Sequence, residues 1–469
     1  MKINKAAMLT ALLTTIFIGG CMVGPDYNRP ATAVDRTQRF DNQPAEWNIA
    51  DESETIGKWW LGFNDPYLNQ TVEQVLKNNN DLRAAAWRVV ESRSILAQSF
   101  GARLPSVNYA ADRTERSIVP QTDKTINFEH DLTIVWAADL FGKLRRAERA
   151  AINDMLGQEQ NQTALVHSII AQTVKSRITI STQQRLLDIT TRNMQSRKNT
   201  LDIVERRYNS GLVTSLDLHQ ARENYAATAA AEPAVRQNLQ LAMHTLDVLM
   251  GQKAASGTMP ENTLPEIPKL KPVPMSVPIS LLDRRPDVKA AEMQLAAATE
   301  RVGVSIAELF PDLTFTGTVG TTGSKHQPSL DLDNIVYSGI VSLAAPVFRG
   351  GRLKEGVKAA KARNEQAAAN YAETVLNAIR QVEDALVKEK YLTQRVELLQ
   401  VRVDEAIKAE TLARDRYSRG VEALLTVLTA ERSRINAENE LASAVDNLYN
   451  ARVDLYLALG GDWKASFEL

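Results

Sequence analysis

The fold is decided by a phrase that occurs twice, as RYNSGLVTSLDLHQAR at residues 207–222 and as RYSRGVEALLTVLTAER at residues 416–432. In each copy a long polar helical pattern stops at a glycine and then resumes. The two glycines, Gly211 and Gly420, stand 209 positions apart. Glycine adopts the left-handed conformation that ends many helices at little steric cost. Each phrase therefore predicts the tip of a helical hairpin.

The similarity extends outward from the tips, so that residues 81–251 and 287–460 are one unit used twice. Two copies are too few for a stacked solenoid, and the pattern indicates a duplication. Between the copies, six prolines from Pro260 to Pro278 predict an extended linker. The matched positions are Asp81 with Asp287, Leu104-Pro105-Ser106 with Phe310-Pro311-Asp312, Leu140-Phe141 with Val347-Phe348, and Gly251 with Gly460.

Each repeat has the same predicted order of a first helix, two strands, a long helix and a return helix. Repeat 1 is predicted over 66–251 and repeat 2 over 284–460. The predicted elements are first helices at roughly 81–103 and 286–309, strand pairs at about 106–140 and 312–347, long helices at 144–208 and 353–416, and return helices at 216–250 and 424–459. The remaining segments are a signal peptide (1–20), a lipid-anchored N-terminal segment (21–65), a proline-rich linker (252–283) and a C-terminal tail (461–469).

The strands alternate between apolar and polar residues with a period of two. Strands of about 10 residues with two different faces fit a transmembrane β-barrel, although a small soluble sheet has the same signature. Four strands cannot close a barrel, and an open edge cannot exist in lipid, so closure demands two or three chains. The residues predicted to share one face are Leu132, Ile134, Trp136, Ala138 and Leu140, then Leu313, Phe315, Gly317 and Val319, then Tyr337, Val341, Leu343, Ala345 and Val347.

The lengths of the helices indicate how they pack. Helices as long as 144–208 and 353–416 each span roughly 95 Å. Each return helix is about half as long and each first helix supplies most of the remainder, so a long helix can lie antiparallel to two short helices stacked end to end. The narrow apolar stripe is typical of a coiled coil. A spectrin-like or adaptor coiled coil would show the same stripe.

The only cysteine, Cys21, follows two lysines, an apolar run and Gly19-Gly20. This order is that of a secretory signal peptide. It also resembles a bacterial lipobox, in which case the thiol receives a diacylglyceryl group and the new N-terminus an acyl group. Met22 follows, and the absence of aspartate at that position favours the outer membrane. The alternative is an ordinary signal with a chance cysteine at its cleavage site.

Composition excludes several classes of protein. The formal net charge of −1 argues against a nucleic-acid binder, and no apolar stretch of 18 residues predicts a transmembrane helix. No glycine-rich phosphate loop and no nucleophile motif is present, so no catalytic residue, metal site or enzyme activity is expected. No two of the histidines have the spacing of metal ligands, namely His130, His167, His219, His244 and His326.

Together these features resemble the TolC-like outer membrane factor family, in its lipid-anchored form. The resemblance covers nearly everything after the signal peptide. It rests on the lipobox, Val23-Gly24-Pro25-Asp26-Tyr27, Trp59-Trp60 with Phe63 and Asp65-Pro66, Asp139-Leu140-Phe141-Gly142-Lys143-Leu144, Arg284-Arg285-Pro286-Asp287, and both tip phrases.

The resemblance implies an α+β membrane protein with two duplicated helical hairpins and four amphipathic strands per chain. It implies a homotrimer, in which a twelve-stranded β-barrel in the outer membrane continues into a twelve-helix α-barrel in the periplasm. Such a trimer is a passive exit duct for small molecules such as drugs. It docks to a periplasmic adaptor and an inner-membrane pump. A lipid-anchored periplasmic adaptor is the alternative, but it would not need two hairpins or amphipathic strand pairs.

The resemblance also implies a gate at the tips. Family members carry a tyrosine in the second tip, here Tyr417, and often inward-facing aspartates beyond it, where this chain has Thr426 and Thr429. Arg432 retains a basic position. In the first repeat Asp217 would form a ring of three carboxylates, unless it pairs with an arginine on an exposed helix face. We expect closure to depend on apolar packing by Leu424, Leu425 and Leu428.

Overall fold

The computed structural model describes residues 22–32, 39–44, 47, 57–117, 124–268, 270–273, 278–324 and 335–460. The predicted signal peptide, Cys21 and the C-terminal tail lie outside these residues. None of the helices in the described ranges combines the length and hydropathy of a membrane span.

The order of elements follows the predicted duplication. Both long helices have 67 residues, a little more than predicted, and both return helices have 35. The described elements are α1 (Pro66–Asn78), α2 (Asn80–Gly101), β1 (Ser106–Ser117), β2 (Lys124–Ala138), α3 (Lys143–Asn209), α4 (Ser215–Leu249), α5 (Leu281–Arg284), α6 (Pro286–Ala307), β3 (Asp312–Gly323), β4 (Ile335–Ala344), α7 (Arg352–Ser418) and α8 (Leu424–Ala458).

Helix α1 was not predicted from the sequence. Asp65 caps it, because Oδ1 accepts hydrogen bonds from the backbone N–H groups of Tyr67 at 3.0 Å and Leu68 at 3.2 Å. Pro66 at the first helical position fits the same start signal. Asn79 is extended and ends α1, and its side chain in turn caps α2. The signal Asp65-Pro66, followed by apolar residues at helical spacing, could have identified this helix.

The four strands form one antiparallel sheet in the order β1-β2-β3-β4. Two predicted boundaries were wrong: β2 ends at Ala138, before Leu140, and β4 ends at Ala344, before Ala345 and Val347. The predicted apolar face is confirmed within the strands, where Leu132 lies opposite Val319 and Trp136 opposite Phe315. The other face of β3 carries Thr314, Thr316, Thr318 and Thr322. The sheet is therefore amphipathic, and its apolar side chains are largely exposed in the single chain.

Both hairpin tips have the predicted glycine conformation, with φ of 71° at Gly211 and 79° at Gly420. The backbone N–H of Leu212 donates to the Arg207 carbonyl at 2.9 Å, and that of Gly211 donates to Tyr208. The second tip repeats both bonds. This pair of bonds is the Schellman motif, which satisfies carbonyls left open where a helix ends.

The chain divides into two compact units. The first contains the residues up to Ala31, Trp87–Gln160 and Lys289–Glu373, and with them all four strands. The second contains Thr32–Ala86, Asn161–Val288 and the residues from Thr374 onward, and with them both tips. The second unit has an apolar core that includes Trp60, Leu68, Val174, Leu246 and Val453.

Candidate functional site

The two hairpin tips pack against each other through one apolar cluster, which we call the tip core. It draws residues from the C-terminal ends of α3 and α7 and from the first turns of α4 and α8. Its buried members are Leu201, Val204, Leu218, Ala221, Ala413, Tyr417, Leu424, Val427 and Leu428.

Tyr417 is buried in the tip core rather than free at a pore surface. The guanidinium of Arg207 lies over its ring, 4.8 Å from the centroid, and donates to the Tyr417 carbonyl at 3.0 Å. Burial raises the pKa of the Tyr417 hydroxyl. Arg207 comes from the first hairpin and Tyr417 from the second, so this contact joins the two tips.

Asp217 serves as a helix cap. Its Oδ2 accepts hydrogen bonds from the backbone N–H of Thr214 at 2.9 Å and from the Thr214 hydroxyl at 2.8 Å. Thr214 in return accepts from the Asp217 backbone N–H at 3.3 Å, which completes a capping box. Within the described residues of the single chain, Asp217 forms no ion pair, and the alternative of an arginine partner stays a prediction. The spacing Thr214-x-x-Asp217 is a capping signal that could have been recognised.

The remaining predicted gate residues lie on the first turns of α8. Leu424 and Leu428 are buried in the tip core, but Leu425 is 63% exposed in the single chain. Thr429 donates its hydroxyl to the Leu425 carbonyl at 2.8 Å, and Thr426 donates to Glu422 at 3.0 Å. Leu424 and Leu428 therefore stabilise the tip core within one chain, whereas the exposed Leu425 side chain can contact a second chain.

Arg432, the other predicted gate residue, is exposed on the same helix. Its neighbour Glu431, by contrast, is almost completely buried.

Sequence reasoning missed a buried ion network next to the tip core. Glu431 pairs with Arg414 of α7, and its Oε1 accepts from the Thr200 hydroxyl of α3 at 3.1 Å. Glu410 pairs with both Arg414 and Arg434. Because Thr200 belongs to the first hairpin and the other residues to the second, the network ties the two hairpins together.

Two further contacts strengthen this tie. Arg434 donates to the Asn193 side chain of α3 at 2.7 Å, and Arg197 of α3 lies 3.9 Å from Glu431. Pairs such as Glu410 with Arg414 have the spacing of ordinary surface pairs on an isolated helix. The sequence contains no local signal that distinguishes them from exposed pairs.

Acidification should stabilise the second unit. Burial raises the pKa of Glu389, Glu431 and Asp446 above their ordinary values. The folded chain then binds protons that the unfolded chain releases, so this contribution to stability is fully present below the ordinary carboxyl pKa values and is lost as pH rises through the raised ones. Thermal unfolding of the detergent-purified protein should show a higher midpoint at lower pH. Glu431→Gln with Asp446→Asn should flatten this dependence, and a midpoint that rises toward pH 7.5 would contradict it.

Metal chemistry has no support in the described ranges. No group of three or more His, Cys, Asp or Glu side chains there is placed to hold a metal ion. The arrangement at the tips is one of packing and charge rather than of reactive groups.

Comparison with known proteins gives consistent matches. The sequence pattern of the outer membrane efflux protein family matches residues 71–252 and 277–461. The toluene efflux pump outer membrane protein TtgI of Pseudomonas putida is 28% identical over 482 residues, covering 99% of this chain and 100% of that protein. The pyoverdine export outer membrane protein OpmQ of Pseudomonas putida is 31% identical over 442 residues, covering 90% and 92%.

Solved structures agree with the sequence matches. The outer-membrane channel OprN superimposes with a TM-score of 0.86 at 30% identity, covering 94% of this chain and 99% of that one. The Campylobacter jejuni CmeC outer membrane channel gives a TM-score of 0.87 at 22% identity, with 96% of each chain covered, and shows the fold alone.

Proposed function

Because the chain belongs to the outer membrane efflux protein family, we propose that it works as a homotrimer docked to a periplasmic adaptor and an inner-membrane pump. The protein is an outer-membrane efflux duct of a tripartite system, with the TolC-like channel fold. The proposal concerns the trimeric assembly and its docking to the adaptor and the pump.

The observation that carries the proposal is the amphipathic four-stranded sheet. Every residue of the outer strands β1 and β4 is exposed in the single chain. Large apolar side chains such as Tyr337 and Val341 point away from the polar face and remain uncovered. Lipid tolerates no open sheet edge, so the edges need neighbours. Three copies supply twelve strands, which is enough to close the sheet around a channel.

The duct is proposed to be passive and not an enzyme. The inner-membrane pump supplies the energy for export, and this chain provides only the conduit. The related proteins export toluene in one case and pyoverdine in another, as their names state. We propose small organic molecules, such as drugs or solvents, as the cargo class of this chain.

Native mass spectrometry of detergent-purified protein tests the assembly, and the expected mass is that of three chains. A photo-crosslinker at Leu212, which is exposed at the first tip, should capture the adaptor in cells. The same group at Tyr391, exposed on α7 away from the tip, is the control. A monomer that stays soluble without detergent would refute the duct and favour the adaptor alternative.

Cys21 is proposed to carry the lipid anchor. A diacylglyceryl thioether and an N-terminal acyl group would add membrane affinity to a protein whose sheet already inserts. Mass spectrometry of the mature N-terminal peptide should show a cysteine carrying two or three acyl chains. An unmodified Cys21, or cleavage at another residue, would rule the anchor out.

We propose that the closed gate depends more on Leu425 than on Asp217. Leu425 is exposed in one chain and would pack around the threefold axis, whereas the Asp217 carboxylate is occupied by Thr214. In planar bilayers Leu425→Ala should raise the resting conductance more than Asp217→Ala does, and Asp217→Ala should weaken cation block.

Two control variants separate an electrostatic gate from one closed by apolar packing. Asp217→Gln removes the charge but keeps a side chain able to complete the capping box. Leu412→Ala removes a comparably exposed leucine from α7 and should leave conductance unchanged. If Asp217→Gln opens the channel while Leu425→Ala leaves it closed, the gate is electrostatic and the proposal fails.

A further inference from the structure

A groove of about 780 Å³ opens in the second unit, and none of the functions above uses it. Residues 386–397 of α7 and two residues of α8 supply part of its lining. The rest comes from the chain before α1, which includes Trp47, and from the end of the proline-rich linker, which includes Leu270. The groove therefore lies where two extended segments pack against the helices.

The groove contains a buried ion pair between Glu389 of α7 and Arg452 of α8. The two residues are 8% and 2% exposed, and Arg452 Nη2 donates to Glu389 Oε1 at 2.5 Å. The other carboxylate oxygen, Oε2, is also buried, and no residue in the described ranges donates a hydrogen bond to it. Burial raises the pKa of Glu389 despite the guanidinium beside it. One arginine therefore does not fully compensate this carboxylate.

Arg452 is more fully engaged than Glu389. Its Nη1 donates to the Lys271 carbonyl at 2.6 Å. Its guanidinium also lies over the rings of Trp47 and Tyr456, 5.7 and 5.8 Å from their centroids. Of its nitrogens, Nε alone lacks a hydrogen-bond partner in the described part of the chain. A carboxylate, a carbonyl and two rings already hold the arginine, so the unused capacity of the pair lies mainly on the carboxylate.

The remaining charges of the groove favour a cation. Apart from the buried pair, the charged side chains that line it are two acids, Asp41 and Glu397, and one base, Lys390. All three are exposed, and their net charge is −1. Most of the uncharged lining is apolar and can hold a hydrocarbon body, including Trp47, Ile267, Leu270, Leu386, Val396 and Leu448.

We infer that this groove binds a small organic cation, a primary ammonium ion with an apolar body, whose N–H groups donate to Glu389 Oε2. The ammonium group supplies both the hydrogen bond and the positive charge that this oxygen lacks. The apolar body packs against side chains such as Trp47 and Leu270. The site uses residues of one chain and goes beyond the proposed duct. Because the bound cation would contact two helices and two extended segments, it should also raise the midpoint of thermal unfolding.

Three probes with the same body and different head groups test the inference. They are phenylbutylammonium, phenylbutanol and phenylbutanoate, titrated calorimetrically into the detergent-purified full chain, with protein-free micelles as the blank. The ammonium should bind saturably, with one molecule per chain. The alcohol should bind about tenfold more weakly, because it lacks the charge-assisted hydrogen bond. The carboxylate should not bind, because it meets Oε2 with a like charge.

Two variants and two matched controls locate the site. Glu389→Gln keeps the shape but removes the charge, so affinity for the ammonium should fall about tenfold, to that of the alcohol. This change leaves Arg452 buried without its carboxylate, so a second variant spares the pair: Gln394→Trp fills the exposed edge of the groove and should abolish binding. Leu398→Trp and Glu405→Gln lie on exposed parts of α7 outside the lining and should bind like the parent.

Thermal unfolding of each variant without probe shows whether it has folded. If Glu389→Gln does not fold, the comparison between Gln394→Trp and Leu398→Trp decides the matter. Loss of ammonium binding in Gln394→Trp alone supports the site. The inference is overturned if the parent binds no ammonium, if it binds the alcohol or the carboxylate as tightly, or if Gln394→Trp binds the ammonium like the parent.

Discussion

Replacing Asp65 by alanine should cause most of the protein to fail to fold. Asp65 and Arg177 have no exposed surface, and Arg177 Nε donates to Asp65 Oδ2 at 2.8 Å. Removing one partner of a buried ion pair costs about 3–5 kcal/mol, because the other charge is left buried and uncompensated. The loss of the α1 cap adds about 1 kcal/mol. Abundance in the outer membrane and the midpoint of thermal unfolding in detergent should both fall sharply.

Two variants show which part of Asp65 matters. Asp65→Asn keeps a good helix cap but removes the charge that faces Arg177, so it should recover only the smaller contribution. Asp188→Ala breaks an exposed pair with Arg192 on α3 and should be nearly neutral. An Asp65→Ala protein as abundant and as heat-resistant as the parent would show that the buried pair is not needed.

Replacing Arg146 by methionine should release the N-terminal segment from the first unit. The side chain is 1% exposed and donates to the carbonyls of Val23, Gly24 and Pro25 at 2.9–3.2 Å. It also pairs with Glu300 at 2.8 Å. Methionine fills similar space but satisfies none of these acceptors. Limited proteolysis should cut within residues 22–31 of the variant, and its yield should fall because Glu300 is left buried without its partner.

The double variant Arg146→Met with Glu300→Met separates these two effects. It removes the uncompensated charge, so the yield should recover, while the segment stays sensitive to protease because the three carbonyls still lack a donor. Arg93→Met, which breaks an exposed pair with Glu159, is the matched control and should behave like the parent. Equal protease resistance of Arg146→Met and the parent would contradict a clamp at Arg146.

Close packing at Gly24 explains why the N-terminal segment, residues 22–31, packs at one specific position in the first unit. Gly24 has φ of 97°, and a Cβ placed on it would lie 2.6 Å from the Cα of Gly303. The N-terminal segment is therefore in direct backbone contact with α6. The sequence motif that contains Gly24 contributed to the resemblance, but its physical role is visible only in the packed structure.

Features that depend on local backbone chemistry and periodicity were predictable from the sequence. Gly211 and Gly420 adopt the conformation that the tip phrases predicted, because a helix that reverses direction needs a residue with positive φ. The long and return helices end within two residues of their predicted bounds. The alternation of apolar residues fixed which side chains of β2, β3 and β4 share a face. Boundaries were less reliable at β2 and β4, and at β4 a sequence signal was missed, because Pro346 lies two residues after the last strand residue, Ala344.

Which charged residues are buried, and which residues come into contact, depends on how the whole chain packs. Asp65 and Arg177 lie 112 positions apart, Arg146 and Glu300 lie 154 apart, and Thr200 and Glu431 lie 231 apart. The sequence pattern around a charged helical residue is the same whether its helix face is exposed or packed against another helix. Its environment depends on which faces meet, and that is a property of the whole packed chain. For the same reason Tyr417 proved to be a core residue, because local spacing constrains a backbone but does not specify the surroundings of a side chain.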